Sequence, residues 1–362
     1  MPGPAGNGSP RRGIHLDGEP GFAETASHMS KASPTGVVLL NMGGPDSLAA
    51  VEPFLFNLFA DNDIIPLPWG GLHVGQRLLA WLISSRRARY VRGYYERIGG
   101  RSPIAEITRD QARALEARLN RGRPDRCRCY VAMRYWHPFT DEALAQARED
   151  GVGRLVALSL YPHFTTATTG SSLHELRRRL GGPPPALGAM PLLEIDRWFD
   201  EPAYLDAITE RIEEGLATFP HREEVTVLFS AHGLPNSFIK KGDPYVQHLL
   251  ATIAGVMARL GQGRPAPRHR LAYQSRVGRD WLGPGTEEVM AELAQGGARE
   301  VLVFPISFVS DHIETLYEID LLFDEAAQKL GLTFRRAPSL NTHPKLIEAL
   351  ATLVERRLAQ SP

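Results

Sequence analysis

The chain has 362 residues, of which 43% are hydrophobic and 23% are charged, the composition of an ordinary globular enzyme with room for about two domains. Lysine plus arginine and aspartate plus glutamate number 41 each, so no basic excess favours a nucleic-acid partner. The two cysteines, Cys127 and Cys129, are too few for a disulfide framework or a four-thiolate cluster. No apolar run of about 18 residues is present to span a membrane, so these features predict a cytoplasmic protein.

The predicted elements begin after a leader, residues 1–34, which is rich in Gly, Pro and Ser and is expected to be disordered. From Gly36 onward, short apolar runs alternate with helical patterns. The predicted strands are 37–41, 129–134, 155–160, 225–230, 270–274 and 301–306. The predicted helices include 110–120, 141–150, 202–217, 244–260 and 344–359. This alternation is typical of βαβ units and parallel sheets, and a Pro/Gly-rich break at residues 181–185 places the crossover to a second domain near residue 195.

Unusual side chains follow the carboxyl end of every predicted strand. The residues at or just after the first five strand ends are Met42, Arg134, His163, His232 and Ser275. Ligands of doubly wound folds bind outside the carboxyl ends of the strands. The sequence therefore predicts that these side chains converge on one cleft between two halves of similar topology.

The segment after the sixth strand carries five side chains that can bind a metal or carry a proton: Asp311, His312, Glu314, Glu318 and Asp320. Acids at the start of a helix complement its dipole, but that does not explain a histidine and a Glu314/Glu318 pair one turn apart. Carboxylates with imidazole and without thiolate suit a weakly held divalent first-row metal. The spacing is not that of a zinc peptidase, so the pattern favours transient handling of a metal.

His232 is a candidate proton acceptor because its ordinary pKa lies near neutrality and it lies at the predicted ligand edge. A histidine at a strand end is otherwise more often structural. No G-x-S-x-G elbow supports a serine hydrolase, and the Gly43-Gly44 turn matches neither a P-loop nor a dinucleotide fingerprint.

Residues 72–95 combine an apolar stripe with a basic cluster, Arg86, Arg87, Arg89 and Arg92. The segment is either a solvated basic helix face or a surface that meets anionic lipid headgroups or an acidic, apolar ligand. The preceding residues 53–59 supply an apolar complement.

Segments throughout residues 36–358 resemble the ferrochelatase family in order and spacing. They read VVLLNMGGP, YERIGGRSPI, RYWHP, TTGSSLHEL, LFSAHGLP, YQSRVGRDWLGP and PISFVSDHIETLYEID. The resemblance implies an α/β fold of two Rossmann-like domains, each a doubly wound parallel sheet, with a porphyrin cleft between them. The expected organisation is the leader 1–34, an N-terminal domain 35–195, a C-terminal domain 196–343 and a final helix 344–362 that packs on the core.

The resemblance also implies roles for residues of this chain. His232 is expected to accept protons from the pyrrole face, as a neutral imidazole, and to contact the metal together with Glu314. Asp311, His312 and Glu318 match positions that orient these groups or conduct protons and metal. The positions expected to bind porphyrin are Met42, Arg86, Arg87, Tyr95, Arg134, Ser275 and Trp281. Leu322 stands where relatives can have a third acid, so on a regular helix the acidic face would stop at Glu318.

The implied activity is insertion of Fe(II) into protoporphyrin IX, which gives protohaem and two protons. Met42 and the apolar lip at residues 53–59 resemble members that take protoporphyrin, while coproporphyrin, cobalt or nickel insertion and a non-catalytic porphyrin- or haem-binding module are the alternatives. Iron and porphyrin are then substrates, with no permanent cofactor, no iron–sulfur cluster and no obligate protein partner. The lip is the candidate place for peripheral contact with a membrane.

Overall fold

The structure, a computed structural model, describes residue 3 and residues 33–64, 73–122, 126–181 and 190–360. Most of the predicted leader therefore lies outside the described residues. The strands are β1 Thr35–Asn41, β2 Cys127–Met133, β3 Arg154–Ser159, β4 Leu192–Ile195, β5 Thr226–His232, β6 Arg268–Gln274, β7 Glu300–Pro305 and β8 Thr333–Arg336. They form two parallel sheets with the orders β2-β1-β3-β4 and β6-β5-β7-β8, so both halves have the same topology, and the predicted α/β fold is confirmed.

Helices cover the sheets of both halves. In the first half they are α1 Val51–Phe59, α2 His73–Arg97, α3 Ile104–Leu119, α4 Thr140–Glu149, the π-helix π1 Thr166–Gly170 and α5 Ser171–Gly181. In the second half they are α6 Pro202–Leu216, α7 Asn236–Lys240, α8 Tyr245–Leu260, α9 Thr286–Gln295, the π-helix π2 Glu314–Phe323, α10 Asp324–Lys329 and α11 Pro344–Ala359. None of the described helices is both long and apolar enough to cross a bilayer.

The central strands β1 and β5 are buried almost along their whole length, which is why their sequences are continuous apolar runs. The six predicted strands correspond to β1, β2, β3, β5, β6 and β7. The sequence missed β4 and β8, each of which has four residues and lies at an edge of its sheet. Strands so short contain too few side chains for a period of two to be visible.

The last helix, α11, contacts both halves. It packs against α3 and β4 of the first half and against α6 of the second, through apolar residues that include Leu346, Leu350 and Val354. Arg118 of α3 adds a bidentate ion pair to Glu348, with both N–O distances 2.6 Å. Buried residues from both halves form one continuous apolar cluster beneath this helix. The carboxyl ends of the two sheets are thereby held on either side of a shared pocket.

Candidate active site

A pocket of about 420 Å³ lies at the carboxyl ends of the two sheets. The first half contributes Met42 and Tyr161, and the second half contributes His232 and Trp281. Most of the lining is apolar, as in pockets that bind flat organic ligands, and it includes Leu58, Phe59, Ile64, Ile83, Leu234, Phe238 and Phe308. Of the five side chains predicted to converge on one cleft, Met42, Arg134, His163 and His232 line this pocket, whereas Ser275 does not.

His232, the last residue of β5, is placed in this pocket by contacts on both sides of its backbone. Its N–H donates to Oγ of Ser307 at 3.0 Å, and its carbonyl accepts from the hydroxyl of Tyr245 at 3.0 Å. The next residue must be small, because a Cβ on Gly233 would lie 3.0 Å from the carbonyl oxygen of Gln274. The strand end and its neighbours therefore fix the direction of the imidazole.

Nδ1 of His232 is paired with Glu314, the first residue of π2, at a distance of 2.9 Å from Oε2. The side chain of His232 is 32% exposed and that of Glu314 is 16% exposed, so the histidine is the more accessible member of the pair. Nε2 is left as the ring nitrogen that can meet a ligand. This is the arrangement of a base held by a second group that fixes its tautomer and supports its charge.

His232 was expected to be a neutral imidazole, but its surroundings favour the protonated ring. Burial favours the neutral form of His232, but the adjacent Glu314 carboxylate outweighs it and raises the pKa of His232 above its ordinary value. Burial likewise opposes ionisation of Glu314, yet His232 and the hydroxyl of Ser275 lower the pKa of that carboxyl overall. Without a ligand, His232 therefore retains its proton to a higher pH than an ordinary histidine and must release it before it accepts another.

Glu318 shares its hydrogen-bond donors with Glu314. The backbone N–H of Ser275 donates to Oε1 of Glu318 at 2.7 Å, and the Ser275 hydroxyl contacts both carboxylates, at 2.9 Å from Oε2 of Glu314. Ser275 has φ = +55°, a left-handed conformation that is unusual for a residue other than glycine and that presents both donors to the acids. Burial and the neighbouring Glu314 charge raise the pKa of Glu318 to about 7, so this carboxyl can hold and release a proton near neutrality.

The helix that carries both glutamates is a π-helix, and the prediction of a regular helix was wrong here. From this helix both Glu314 and Glu318 contact the hydroxyl of Ser275. Leu322, the position where a third acid was considered, is 36% exposed. Asp320 points to another face, where Arg336 binds it with distances of 2.6 and 2.9 Å.

Asp311 and His312 have different positions, although they are adjacent in the sequence. Asp311 was expected to orient the His232–Glu314 pair or to conduct protons and metal, and it is not part of the pocket lining. Its carboxylate accepts from Arg336 at 3.0 Å, and Ser339 and Asn341 also donate to it. His312 is buried, with Nδ1 3.0 Å from the carbonyl of Ser310 and Nε2 4.0 Å from Oε1 of Glu314.

These contacts give Asp311 and His312 different electrostatic environments. Burial lowers the pKa of His312, which stays neutral behind Glu314. For Asp311, burial opposes ionisation, but Arg336 and the neighbouring donors lower the pKa of the carboxyl overall. The neutral ring of His312 therefore lies next to the His232–Glu314 pair and can interact with it, whereas the carboxylate of Asp311 is held by Arg336 and its neighbours.

The residues expected to bind porphyrin divide into two groups. Those that line the pocket are Met42, Arg87, Arg134 and Trp281. Those that do not are Arg86, which is exposed, Tyr95, which is buried in a core cluster, and Ser275, which lies behind Glu314. Burial and the nearby Glu314 charge raise the pKa of Tyr95, so its phenol remains neutral. These three residues were expected to bind porphyrin, and in the structure none of them lines the cavity.

A buried ion pair beneath the pocket was missed by the sequence analysis. Arg134 lies 3.0 Å from the carboxylate of Asp61 and donates to the hydroxyl of Ser171 at 2.8 Å. The same carboxylate accepts from the hydroxyls of Tyr135, at 2.7 Å, and Ser171. Asp61 has no local signal, since it simply follows α1, and only the fold brings it to Arg134.

The lip of the pocket is formed by α1 and α2. Leu58, Phe59 and Ile83 line it, and the Arg87 guanidinium lies over the Phe59 ring, 5.5 Å from the centroid. The Phe54 side chain of the predicted apolar segment is instead buried in the core. Several large apolar side chains of α2 face solvent: Leu78, Leu79, Trp81, Leu82 and Tyr90.

Two protein groups, His232 and Glu314, are the best placed to touch a metal ion in the pocket. Within the described ranges, no group of three or more His, Cys, Asp or Glu side chains is arranged to hold a metal ion. Both cysteines lie on β2, outside the pocket lining. The pocket therefore offers a metal few protein ligands and leaves most coordination positions to a bound organic ligand.

Comparison with known proteins gives consistent matches over nearly the whole chain. A family model described as Ferrochelatase matches residues 34–358. The chain is 51% identical over 327 residues to the ferrochelatase of Geotalea uraniireducens, covering 90% of this chain and 98% of that protein. It is 49% identical over 322 residues to a ferrochelatase of a Cyanothece species, covering 88% of this chain and 81% of that protein.

Solved structures show the same fold at low sequence identity. SirB from Bacillus subtilis, determined with Fe3+, has a TM-score of 0.50 and 13% identity, covering 90% of this chain and 96% of that one. The sirohydrochlorin chelatase SirB from Bacillus subtilis subspecies spizizenii, in complex with cobalt, has a TM-score of 0.50 and 10% identity over 90% of this chain and 98% of that one. At these identities the likeness concerns the architecture of two similar halves.

Proposed function

The chain belongs to the ferrochelatase family, and from this premise we propose how its pocket performs the reaction and which porphyrin it takes. As a ferrochelatase it is an enzyme that inserts iron into a porphyrin in haem biosynthesis. The alternative of a non-catalytic porphyrin- or haem-binding module is therefore rejected.

The proposal is carried by the 2.9 Å contact between Nδ1 of His232 and Glu314 at the wall of an apolar pocket. Pyrrole N–H groups are very weak acids, so a planar porphyrin releases its protons slowly. A pocket that bends the macrocycle exposes the nitrogen lone pairs, and binding energy from the rest of the ring drives that distortion. Nε2 of His232 then accepts the pyrrole protons as Fe(II) exchanges its waters for the ring nitrogens.

The two released protons need a route away from His232. Glu314 is in direct contact, and Glu318 follows it through the shared Ser275 donors. With its pKa raised to about 7, Glu318 can take a proton from the pair and release it near neutrality. Glu314 can contact ferrous iron throughout, whereas His232 can do so only before its Nε2 takes a proton. The four ring nitrogens then replace these ligands, which fits a metal that passes through.

We propose that protoporphyrin IX is preferred over coproporphyrin III. The lip residues Leu58 and Phe59 are apolar, Met42 lies at the first strand end, and Arg87 supplies a cation at the mouth. These features suit a macrocycle with an apolar edge and two propionates better than one with four. Cobalt and nickel are the alternative metals, because a histidine and a carboxylate do not by themselves select iron.

The surface of α2 supports peripheral contact with an anionic membrane. Trp81 is 54% exposed, Leu78 and Leu82 are also exposed, and Arg86 and Arg89 lie on the same helix. Exposed apolar side chains beside arginines are typical of helices that lie in the lipid interface. Sedimentation with vesicles that contain phosphatidylserine tests this: the wild type should bind and Leu78→Glu/Leu82→Glu should not, and equal binding of both would refute it.

We further propose that no cofactor resides in the protein and that it works in the cytoplasm without an obligate protein partner. The support for the first statement is compositional: two cysteines cannot provide the four ligands of an iron–sulfur cluster. An iron and sulfide analysis of anaerobically purified protein decides it, and stoichiometric sulfide would overturn it.

The central test is an anaerobic assay with Fe(II) and either protoporphyrin IX or coproporphyrin III. We expect repeated turnover that converts the free-base spectrum to the metalloporphyrin spectrum, with the larger kcat/KM for protoporphyrin IX. An equal or larger value for coproporphyrin III would overturn the substrate proposal. Parallel assays with Co(II) and Ni(II) rank the metals, and faster insertion of either would make iron the secondary substrate.

A further inference from the structure

Arg134 is a cation of the pocket lining that is already paired with an acid of the protein. Its Nη2 lies 3.0 Å from Oδ2 of Asp61, and its Nε donates to the hydroxyl of Ser171 at 2.8 Å. The side chain is 19% exposed and lines the pocket, so part of the guanidinium remains open to a ligand. Whether it can attract a ligand carboxylate depends on what Asp61 does to its charge.

The carboxylate of Asp61 is buried next to Arg134 and is occupied by donors of the protein. Its side chain is 4% exposed and is not part of the pocket lining. Oδ2 accepts from the hydroxyls of Tyr135, at 2.7 Å, and Ser171, and Oδ1 accepts from the backbone N–H of Asp63 at 2.9 Å. These donors hold the carboxylate in place and add no charge, so the pair of Asp61 and Arg134 is neutral overall.

A second acid near Arg134 does not take the place of Asp61. Glu175 lies within electrostatic reach of Arg134, but Arg178 and Arg179 lie 2.8 and 2.7 Å from its carboxylate. The charge of Glu175 is therefore compensated by its own partners, and Asp61 is the acid that compensates Arg134.

The other charges of the lining leave the mouth as the place for ligand carboxylates. His232 and Glu314 are paired with each other in the second half, whereas Arg87 is exposed on α2 at the lip. A ligand carboxylate at the mouth keeps its water and meets Arg87. A carboxylate at the buried wall loses its water and meets Arg134, whose attraction is opposed by the repulsion from Asp61.

We propose that Asp61 is a positioning residue that sets the choice of porphyrin: its carboxylate holds Arg134 and cancels its charge, so that the wall at Arg134 admits an apolar edge and rejects an ionised propionate. This inference rests on the proposed function and names the residue that enforces its preference. Protoporphyrin IX has both propionates on one edge and can keep them at the mouth. Coproporphyrin III has a propionate on every pyrrole ring, so any orientation directs carboxylates into the pocket.

The main test is Asp61→Asn, which keeps the shape of the side chain and removes its charge. The dissociation constants of both free-base porphyrins are measured by fluorescence without iron. We expect coproporphyrin III to bind more tightly than it binds to the wild type, and the preference for protoporphyrin IX to fall at least about tenfold, the effect of one nearby opposite charge on an ionised group. A loosened wall would weaken the binding of both ligands, so a gain in coproporphyrin affinity distinguishes the charge effect from a merely structural one.

Two further variants serve as controls. Asp61→Asn/Arg134→Gln removes both charges, so the wall is neutral again and the ratio of the two constants should return to within about twofold of the wild type. A lowered preference that persists in this double variant would show that the charge of Arg134 is not its cause. Asp63→Asn is the matched control, because Asp63 lies two residues away and pairs with the exposed His174 at 2.9 Å, and it should leave the ratio unchanged.

The outcomes separate the two proposals. An unchanged ratio in folded Asp61→Asn would refute the role of Asp61 alone. A wild type that prefers coproporphyrin III would refute the substrate choice instead, and the direction of the Asp61→Asn shift would still test Asp61. If Asp61→Asn fails to fold because a buried cation is left unpaired, the double variant replaces it. A wild-type ratio in the double variant then supports the proposal, and a ratio that differs by more than about twofold rejects it.

Discussion

Two pairs of acids lie in the same short segment, residues 311–320, but their electrostatic surroundings are opposite. Asp311 and Asp320 turn to Arg336, which donates to both. Glu314 lines the pocket and Glu318 lies beside it on Ser275; within the described residues neither has a lysine or arginine partner, only His232, His312 and neutral donors. The first pair shares one guanidinium, and Asp311 also accepts from the neutral donors Ser339 and Asn341. The second retains free proton-binding capacity, so the partner of an acid, rather than its place in the sequence, decides whether it can do chemistry.

The largest effect is expected on the pocket side of this comparison, from His232→Ala. Loss of the base should reduce kcat for iron insertion about 10³-fold, within the range of general-base contributions. The thermal midpoint should remain close to that of the wild type, because the side chain is partly exposed. Anaerobic turnover and a thermal melt check both statements. His221→Ala, at an exposed surface histidine, is the control, and full activity in His232→Ala would remove it from the mechanism.

Glu314→Gln keeps the shape of the acid and removes its charge. We expect a loss of about 10²-fold in kcat/KM. Glu314 raises the pKa of His232, so its removal should lower that pKa and move the acid limb of the pH–rate profile to lower pH. A profile that keeps the wild-type position would mean that another group sets the limb.

The two sets of acids should show opposite pH dependences of stability. The pKa of Glu318 is raised to about 7, so the folded state keeps a proton that the unfolded state begins to lose near pH 4.5, and stability falls as the pH rises through this window. Glu318→Gln removes that cost and should stabilise the protein by about 1–3 kcal/mol at pH 8, with little effect at pH 4.5. The pKa of Asp311 is lowered, so its contribution is complete above its unfolded value of 3.8 and is lost only below it.

Asp311→Asn should therefore destabilise the protein at pH 7 by about 1–3 kcal/mol, with a smaller effect as the pH falls below 3.8. Denaturant unfolding of both variants across pH measures the two curves. Curves of the same sign would show that the two sets of acids are not electrostatically distinct.

The smallest effect is expected from Leu322→Glu, which adds an acid where the side chain is exposed. If the acidic path ends at Glu318, a third carboxylate should change kcat less than about twofold, since water screens an exposed charge. A several-fold gain in the iron-insertion rate would instead extend the path along π2. Leu322→Gln is the uncharged control.

The sequence predicted the part of the site that depends on strand ends. Parallel strands place their carboxyl ends at one edge, and that rule predicts that Met42, His232 and the segment with Glu314 meet at one cleft. It could not predict Asp61, whose contact with Arg134 joins two loops far apart in the chain. It also could not distinguish Asp311 from Glu318, because their difference comes from Arg336 on an edge strand too short to be seen in the sequence.

Two features of the site could not be predicted from local sequence patterns because their backbone conformation is irregular. The period of a helix is read on the assumption of a regular α-helix, and π2 departs from it. The backbone of Ser275 adopts a left-handed conformation that no propensity of serine suggests. Such departures are expected where function imposes a geometry that the local sequence does not favour.

The position of α11 has a consequence for the order of events during synthesis. Both sheets precede this helix in the chain, and a translated domain folds as its residues leave the ribosome. Each half can therefore form its sheet early, but the surfaces of α3, α6 and β4 that α11 covers stay open to water until the helix has been made. Until then a growing chain exposes apolar surface on both halves, and only the direct contacts between them, such as those of Gln111 with Ser310 and of His163 with Thr252, can hold the two pocket walls together.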